Sequence, residues 1–276
     1  MKLVKSINYL NKILDRYRSD GFKIHLTPTM GALHAGHLKL VKESKKLKSI
    51  VVVSIFVNPT QFGPNEDYKN YPRTLKNDLK VLKKYGADIV FTPIQKQILY
   101  HKTKYNCPQF AIEKKLCGKS RPKYFPGVKN IVLKLFDIVK PDVAFFGEKD
   151  YQQFLIVDQL TKQHFPNIKI IPCPTQREAN GLAMSSRNIR LSPLEQKVAA
   201  KIYSTLLYCK QHFDKSNIRE LEASCFKMIS EFSDPEYFEI RNANDLSKVS
   251  SNSNSSRAFV ATKLSDVRLI DNIAIN

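Results

Sequence analysis

At 276 residues and 31.7 kDa the chain is about twice the length of a common single domain, which excludes a small module and leaves one large or two modest domains. Hydrophobic residues make up 42% and charged residues 25%, globular proportions that exclude a disordered chain. The 45 Lys and Arg against 25 Asp and Glu give a net charge of +20, so a polyanionic partner has to be weighed. The excess is uneven: residues 1–120 hold 23 basic and 8 acidic residues, whereas 121–276 hold 22 and 17. Only 11 of the cations are Arg and Trp is absent, while base readout and single-strand stacking favour Arg forks and interleaved aromatics. The composition therefore favours a solvated Lys-rich surface over a specific nucleic-acid interface.

Along the chain, Val4, Ile7, Leu10, Leu14 and Tyr17 recur at helical spacing, interrupted by Asp15, Arg16 and Arg18, and predict an amphipathic helix rather than a secretory leader. From residue 23 short β-rich runs alternate with helical patterns. Strands are predicted at 23–28, 50–57, 88–92, 143–146 and 169–171, and helices at 36–48, 74–85, 128–139 and 151–165. This alternation predicts an α/β, Rossmann-like doubly wound parallel sheet, a fold that takes ligands at the carboxyl ends of its strands. The longest apolar stretch, residues 50–57, is far below the ~20 residues that span a bilayer, so no membrane segment is expected.

The pattern changes near residue 175. Ser192-Pro-Leu-Glu195 is a capping box with Pro at the first helical position and predicts a helix to about His212. A second helix is predicted at 218–232. Strands follow at 237–241, 257–262 and 267–273, the first two separated by a polar Ser-Asn tract at 250–256. Two domains result, 1–175 and a smaller C-terminal α+β domain at 176–276. The five cysteines, Cys107, Cys117, Cys173, Cys209 and Cys225, are odd in number and form no C-x-x-C pair, which argues against a disulfide framework or structural zinc and predicts a reducing cytoplasm.

The chemistry-bearing segments follow predicted strands. PTMGALHAGHL (28–38) places a glycine turn before a helix start holding His34 and His37; a helix N-terminus attracts phosphate, and Gly31 and Gly36 permit close backbone approach. Taken alone, H-x-x-H is more often a structural pair, and a zinc helix would need i,i+4 spacing with a Glu. SIFVNPTQFG (54–63) delivers Asn58 and Gln61, amides suited to hydroxyls and carboxylates. FFGEKDYQQ (145–153) brings Lys149, a phosphate-neutralising cation or half of a local ion pair with Glu148 or Asp150. REANGLAMSSRN (177–188) is a hydroxyl-and-Arg loop suited to closing over anions, or a surface turn.

Together these strings, two of them extended to SIFVNPTQFGPNEDY (54–68) and PTQREANGLAMSSRN (174–188), with YPRT (71–74), SRPKYFPGV (120–128) and LIDNIAI (269–275), resemble the pantoate–β-alanine ligase family over nearly the whole chain. The resemblance implies a nucleotidyltransferase-type fold, with an ATP- and pantoate-binding catalytic domain at 1–175 and a lid domain at 176–276. It implies ATP-dependent condensation of pantoate with β-alanine through an enzyme-bound pantoyl adenylate, with Mg2+ riding on the ATP phosphates and no metal site of the protein's own. ATP-binding positions carried over are Met30, Gly31, Ala32, Leu33, His34, Ala35, Gly36, His37, Gly147, Glu148, Lys149, Asp150, Gln176, Met184, Ser185, Ser186 and Arg187. Of these, His34, His37, Lys149, Ser185, Ser186 and Arg187 match phosphate-contacting catalytic positions, and His37 the residue assigned as proton donor. Gln61 and Gln153 match the pantoate-binding glutamines, and Gln61 also lies by the β-alanine site. A cytoplasmic homodimer with small-molecule partners and no specific nucleic acid is implied.

The sequence departs from the family pattern at Ala35, where Glu is common, at Cys117, where Leu-Glu-Gly has Glu, at Tyr124, where His is usual, and at Asn180, where READG has Asp. No catalytic role is carried onto Cys117 or Tyr124. The alternatives are an adenylating enzyme acting on another carboxylate or binding tRNA and, more distantly, a non-enzymatic nucleic-acid-binding protein.

Overall fold

The computed structural model describes every residue except 47, 48, 65, 251, 252 and 276. The predicted helix end at residue 48, position 65 after the Gln61 segment and part of the 250–256 tract therefore lie outside the described residues. The chain divides into two compact units: Met1–Gln109, Lys123–Glu148 and Ile156–Pro174 form the first, and Phe110–Pro122, Lys149–Leu155 and Thr175–Asn276 the second.

Up to residue 174 the elements run β1 (Lys2–Val4), α1 (Ile7–Ser19), β2 (Lys23–Thr29), α2 (Ala35–Lys45), β3 (Ser49–Ile55), α3 (Leu75–Lys84), β4 (Ile89–Phe91), α4 (Gln95–Leu99), α5 (Cys117–Ser120), α6 (Tyr124–Val139), β5 (Val143–Gly147), α7 (Tyr151–His164) and β6 (Lys169–Cys173). Six parallel strands form one sheet in the order β1-β4-β3-β2-β5-β6, the doubly wound arrangement expected. Strand β3, SIVVVSI, is apolar in nearly every position because both faces of such a sheet are covered. On one face Leu38 and Val41 of α2 and Leu82 of α3 pack against Val51, Val53 and Val90. The direction of chain progression reverses between β2 and β5, which pair at His25↔Val143 and Leu26↔Ala144; a crevice for ligands opens at such a switch point.

Val4 corrects the sequence reading. It lies not on the first helix but in β1, buried, opposite Phe91. Ser6 has extended backbone (φ −85°, ψ 133°) and its side chain accepts the Tyr9 amide, so the helix starts after it.

In the second unit α8 (Pro193–Ala199), α9 (Lys201–Gln211) and α10 (Ile218–Ser230) accompany an antiparallel sheet of β7 (Asp234–Asn242), β8 (Ser256–Leu264) and β9 (Val267–Ala274), in that order. The Ser192 capping box forms as predicted, with the Ser192 amide donating to Glu195 Oε2 at 2.7 Å and the Glu195 amide to Ser192 Oγ at 3.3 Å. The single helix predicted to about His212 is two, because the Tyr203 amide bonds the Ala200 carbonyl three residues back and tightens the turn there. Leu206, Cys209, Leu221, Cys225 and Ile229 pack against Phe238, Ile240, Val260 and Leu269 to form this unit's core.

Candidate active site

In the first unit three neighbouring strands deliver the predicted residues at their carboxyl ends. After β2 the chain turns through Gly31 (φ +82°) and Ala32 (φ +49°) before α2 begins. A Cβ on Gly31 would lie 3.0 Å from Ile55 and 3.2 Å from Asp78, so backbone sign and space both favour glycine. His34 caps α2: its Nδ1 accepts the Gly36 amide at 3.2 Å, while His37 Nδ1 accepts the His34 amide at 3.5 Å. The two rings lie 4.1 Å apart between centroids. Histidine here occupies the positions of a capping box, an arrangement that fixes both side chains at the positive end of the helix dipole.

Asp78 holds this turn in place. Its buried carboxylate accepts the Ala32 amide at 3.0 Å, the Leu33 amide at 2.9 Å and the Thr74 hydroxyl at 3.0 Å. Sequence reasoning missed it; the available signal was an acidic residue four positions after Thr74 on the apolar, buried side of α3.

At the end of β3 Asn58 organises the Gln61 segment. Its Oδ1 accepts from Thr60, and its Nδ2 donates to Gln61 Oε1 at 3.2 Å and to the Gly127 carbonyl at 3.1 Å. Gln61 Nε2 lies 3.0 Å from Met30 Sδ, so the amide and the glycine turn meet. A Cβ on Gly127 would fall 2.4 Å from the Thr60 carbonyl oxygen and 2.6 Å from the Gln61 backbone: α6 passes where no side chain fits. At the end of β5, Gly147 and Glu148 follow. A Cβ on Gly147 would meet nothing within 4 Å, so the protein itself does not require glycine there.

The second unit carries the remaining predicted residues. Lys149 and Asp150 stand before α7, with Lys149 Nζ 3.9 Å from Asp150 Oδ1, and Gln153 lies in the first turn of that helix. Buried Gln152 accepts the Cys117 amide at 3.1 Å and donates to the Lys115 carbonyl at 2.7 Å and the Ile112 carbonyl at 2.8 Å. It thereby brackets Leu116, whose backbone (φ 44°, ψ −124°) sits where non-glycine residues cost about 1–3 kcal/mol. The 175–192 loop is a paired turn: Arg177 bridges Ala183, the Met184 amide donates to the Gln176 carbonyl at 2.9 Å, and Gly181 (φ +93°) abuts Tyr203. Ser185 then caps the 3-10 turn Ser186–Arg190, accepting the Arg187 amide at 3.2 Å.

Two departures from the family pattern acquire physical roles. Asn180 Oδ1 accepts the Leu182 amide at 3.1 Å and its Nδ2 donates to the Gln196 carbonyl; an Asp could supply the first bond but not the second. Buried Cys117 places Sγ 3.0 Å from the Tyr237 hydroxyl and 3.5 Å from Arg268. Burial and the adjacent Cys117 push the Tyr237 hydroxyl well above its ordinary value. Arg268 is in turn fixed by Glu236 at 2.7 and 2.8 Å.

Glycine turn, helix N-terminus and switch point together define a nucleotidyltransferase-type fold. The sequence model for pantoate–β-alanine ligase matches residues 2–274. Curated pantothenate synthetases from Acinetobacter baylyi and Chromohalobacter salexigens are 43% and 41% identical, each aligned over 100% of this chain and 99% of its own length. A crystal structure of pantothenate synthetase from Thermus thermophilus superposes with a TM-score of 0.92 at 34% identity, covering 100% of this chain and 99% of that one. The Francisella tularensis ligase, complexed with β,γ-ATP and β-alanine, gives a TM-score of 0.83 at 39% identity over 100% and 98%. The chain belongs to the pantoate–β-alanine ligase family. Among the described residues no helix is long and apolar enough to cross a membrane.

Proposed function

We propose that this chain condenses pantoate with β-alanine at the expense of ATP, in two half-reactions joined by a bound pantoyl adenylate. The observation that carries the reading is the α2 N-terminus, capped by its own histidines after a glycine turn, on the strand beside the one ending at Gly147. The space at the Gly147 Cβ position suits a nucleotide lying against that strand end.

In the first half-reaction a pantoate carboxylate oxygen attacks the α-phosphorus of ATP and pyrophosphate leaves. The chemistry asks for alignment and for donors aimed at growing phosphate charge. His34, His37, Lys149, Ser185, Ser186 and Arg187 are the proposed donors, with Met30–His37, Gly147–Asp150, Gln176 and Met184–Arg187 lining the nucleotide. Mg2+ would arrive on the ATP phosphates and add further charge neutralisation there, while the proposed side chains, cationic or hydrogen-bond donors, would contact phosphate oxygens rather than the metal. Gln61 and Gln153 are the proposed pantoate ligands; their amides hydrogen-bond hydroxyl and carboxylate without adding a charge that would repel or trap the substrate.

In the second half-reaction the β-alanine amine, held near Gln61, attacks the acyl carbon and AMP leaves. A mixed anhydride hydrolyses in water, so a sheltered site is required. The reading carries with it a cytoplasmic homodimer acting on small molecules. Purified protein is expected to exchange pyrophosphate into ATP only with pantoate, and to release AMP on adding β-alanine. Exchange driven by a different carboxylate, or none with pantoate, would overturn the assignment.

A further inference from the structure

The 269–275 string takes no part in either half-reaction, yet it holds two buried polar side chains side by side. Asp271 and Asn272 on β9 are 4% and 3% exposed. Successive strand residues point to opposite faces, so the two reach different neighbours.

Asp271 takes Arg177 in a two-pronged ion pair, Oδ2 to Nη1 at 2.6 Å and Oδ1 to Nη2 at 3.0 Å. Arg177 also donates to the Gly181 carbonyl at 3.1 Å and lies 3.7 Å over the Tyr203 ring. It is thus fixed on three sides, and through its bridge to Ala183 it sets where the turn leading into Met184–Arg187 emerges. Asn272 Nδ2 donates to the Lys149 carbonyl at 2.9 Å. Its Oδ1 accepts from Arg257, whose guanidinium lies 3.9 Å over Tyr151, two residues past Lys149. The Asn272 amide donates to Asp271 Oδ1 at 2.8 Å, which links the two side chains.

We propose that Asp271 and Asn272 are positioning residues for the nucleotide, a role that rests on the ligase reading: Asp271 orients the Ser185–Arg187 donors through Arg177, and Asn272 orients Lys149 through its carbonyl. Two segments far apart in sequence are hung from adjacent residues of one strand. Isolated apolar replacements would strand buried partners, whereas a purely structural strand could be apolar throughout.

The test combines kinetics with amide hydrogen exchange read by mass spectrometry. Misplaced reacting groups lose rate steeply with distance, so Asn272→Ala is expected to lower kcat/KM for ATP about tenfold in pantoate-dependent pyrophosphate exchange, with the KM for β-alanine unchanged. In a Lys149→Ala background the same change should cost less than about twofold, because the ammonium it positions is gone even though the carbonyl that accepts from Asn272 remains. Asn272→Asp keeps the acceptor for Arg257, loses the donor to Lys149 and sets a carboxylate oxygen against the Lys149 carbonyl, and serves as the second variant if the alanine variant unfolds. Amide exchange should accelerate at 149–153 in the Asn272 variants and at 176–188 in Asp271→Asn. A full tenfold loss in the Lys149→Ala background, or acceleration spread evenly over the second unit, would overturn the proposal. Failure of the ligase reading looks different: wild-type protein would show no pantoate-dependent exchange of pyrophosphate, while the segment-selective amide pattern would still decide whether the tethers exist.

Discussion

The glycine turn in the first unit and the 175–188 loop in the second both carry proposed phosphate donors and are held in place by different means. The first is held by backbone: a positive-φ glycine, a helix N-terminus, and the amides of Ala32 and Leu33 gathered by one carboxylate. The second is backbone-paired too, around its own positive-φ Gly181, but is tied to the rest of its unit by long side chains, an Arg177–Asp271 fork stacked on Tyr203. Backbone-held elements have few alternative states because the groups involved are short, whereas a fork of long side chains orders the loop only while both partners are present. The contrast predicts a stiff first half and a second half whose order depends on a handful of contacts.

Asp78→Ala attacks the backbone-held half at its centre. Hydrogen bonds to charged groups contribute about 1.5–3 kcal/mol each, so losing two amide acceptors is expected to cost about 4 kcal/mol in unfolding free energy by urea titration. Wild-type stability in that variant would mean that the turn needs no external acceptor. His37→Ala and Lys149→Ala probe one donor from each half; each is expected to slow pantoate-dependent pyrophosphate exchange by about 100-fold. Folded variants that exchange at the wild-type rate would strip both residues of their proposed roles.

Gly127→Ala and Gly147→Ala make a matched pair. The first drives a methyl into the Thr60 and Gln61 backbone and should cost about 2 kcal/mol in stability. The second enters open space, so stability should stay within about 0.5 kcal/mol while the KM for ATP rises. Equal melting temperatures for the two would contradict the packing argument, and an unchanged KM would take the nucleotide away from Gly147.

The smallest effect is in acid. Burial alone would raise the Glu236 carboxyl, but the Arg268 fork, with Ser120, outweighs it and holds the group below its ordinary 4.5. A carboxyl lowered in the folded state stabilises above its unfolded value, and that contribution disappears as pH falls through the folded one. Wild-type protein should therefore lose stability below about pH 4.5, and Glu236→Gln should lose less over the same window. Parallel acid limbs would remove Glu236 from the account.

What sequence reveals follows the same division. The alternation of strands and helices, the glycine turn with His34 and His37, and the Ser192 capping box are local patterns, and they stand in the structure where the residues suggest. Val4 is misread because its strand is three residues long and its partner, Phe91, lies far along the chain. Asp78, Gln152, Asp271 and Asn272 escape notice for a related reason. Each acts through a partner more than 30 residues away, and apart from the place of Asp78 on the apolar side of α3, nothing in their immediate neighbours distinguishes a buried anchor from a solvated polar residue.

The histidine caps also bear on proton inventory. A ring nitrogen that accepts a backbone N–H must present a lone pair, and both His34 and His37 accept through Nδ1. The helix start thereby selects one tautomer of each neutral imidazole, with its hydrogen on Nε2. A fold element that ends a strand and begins a helix thus also leaves each neutral ring a donor at Nε2 alone.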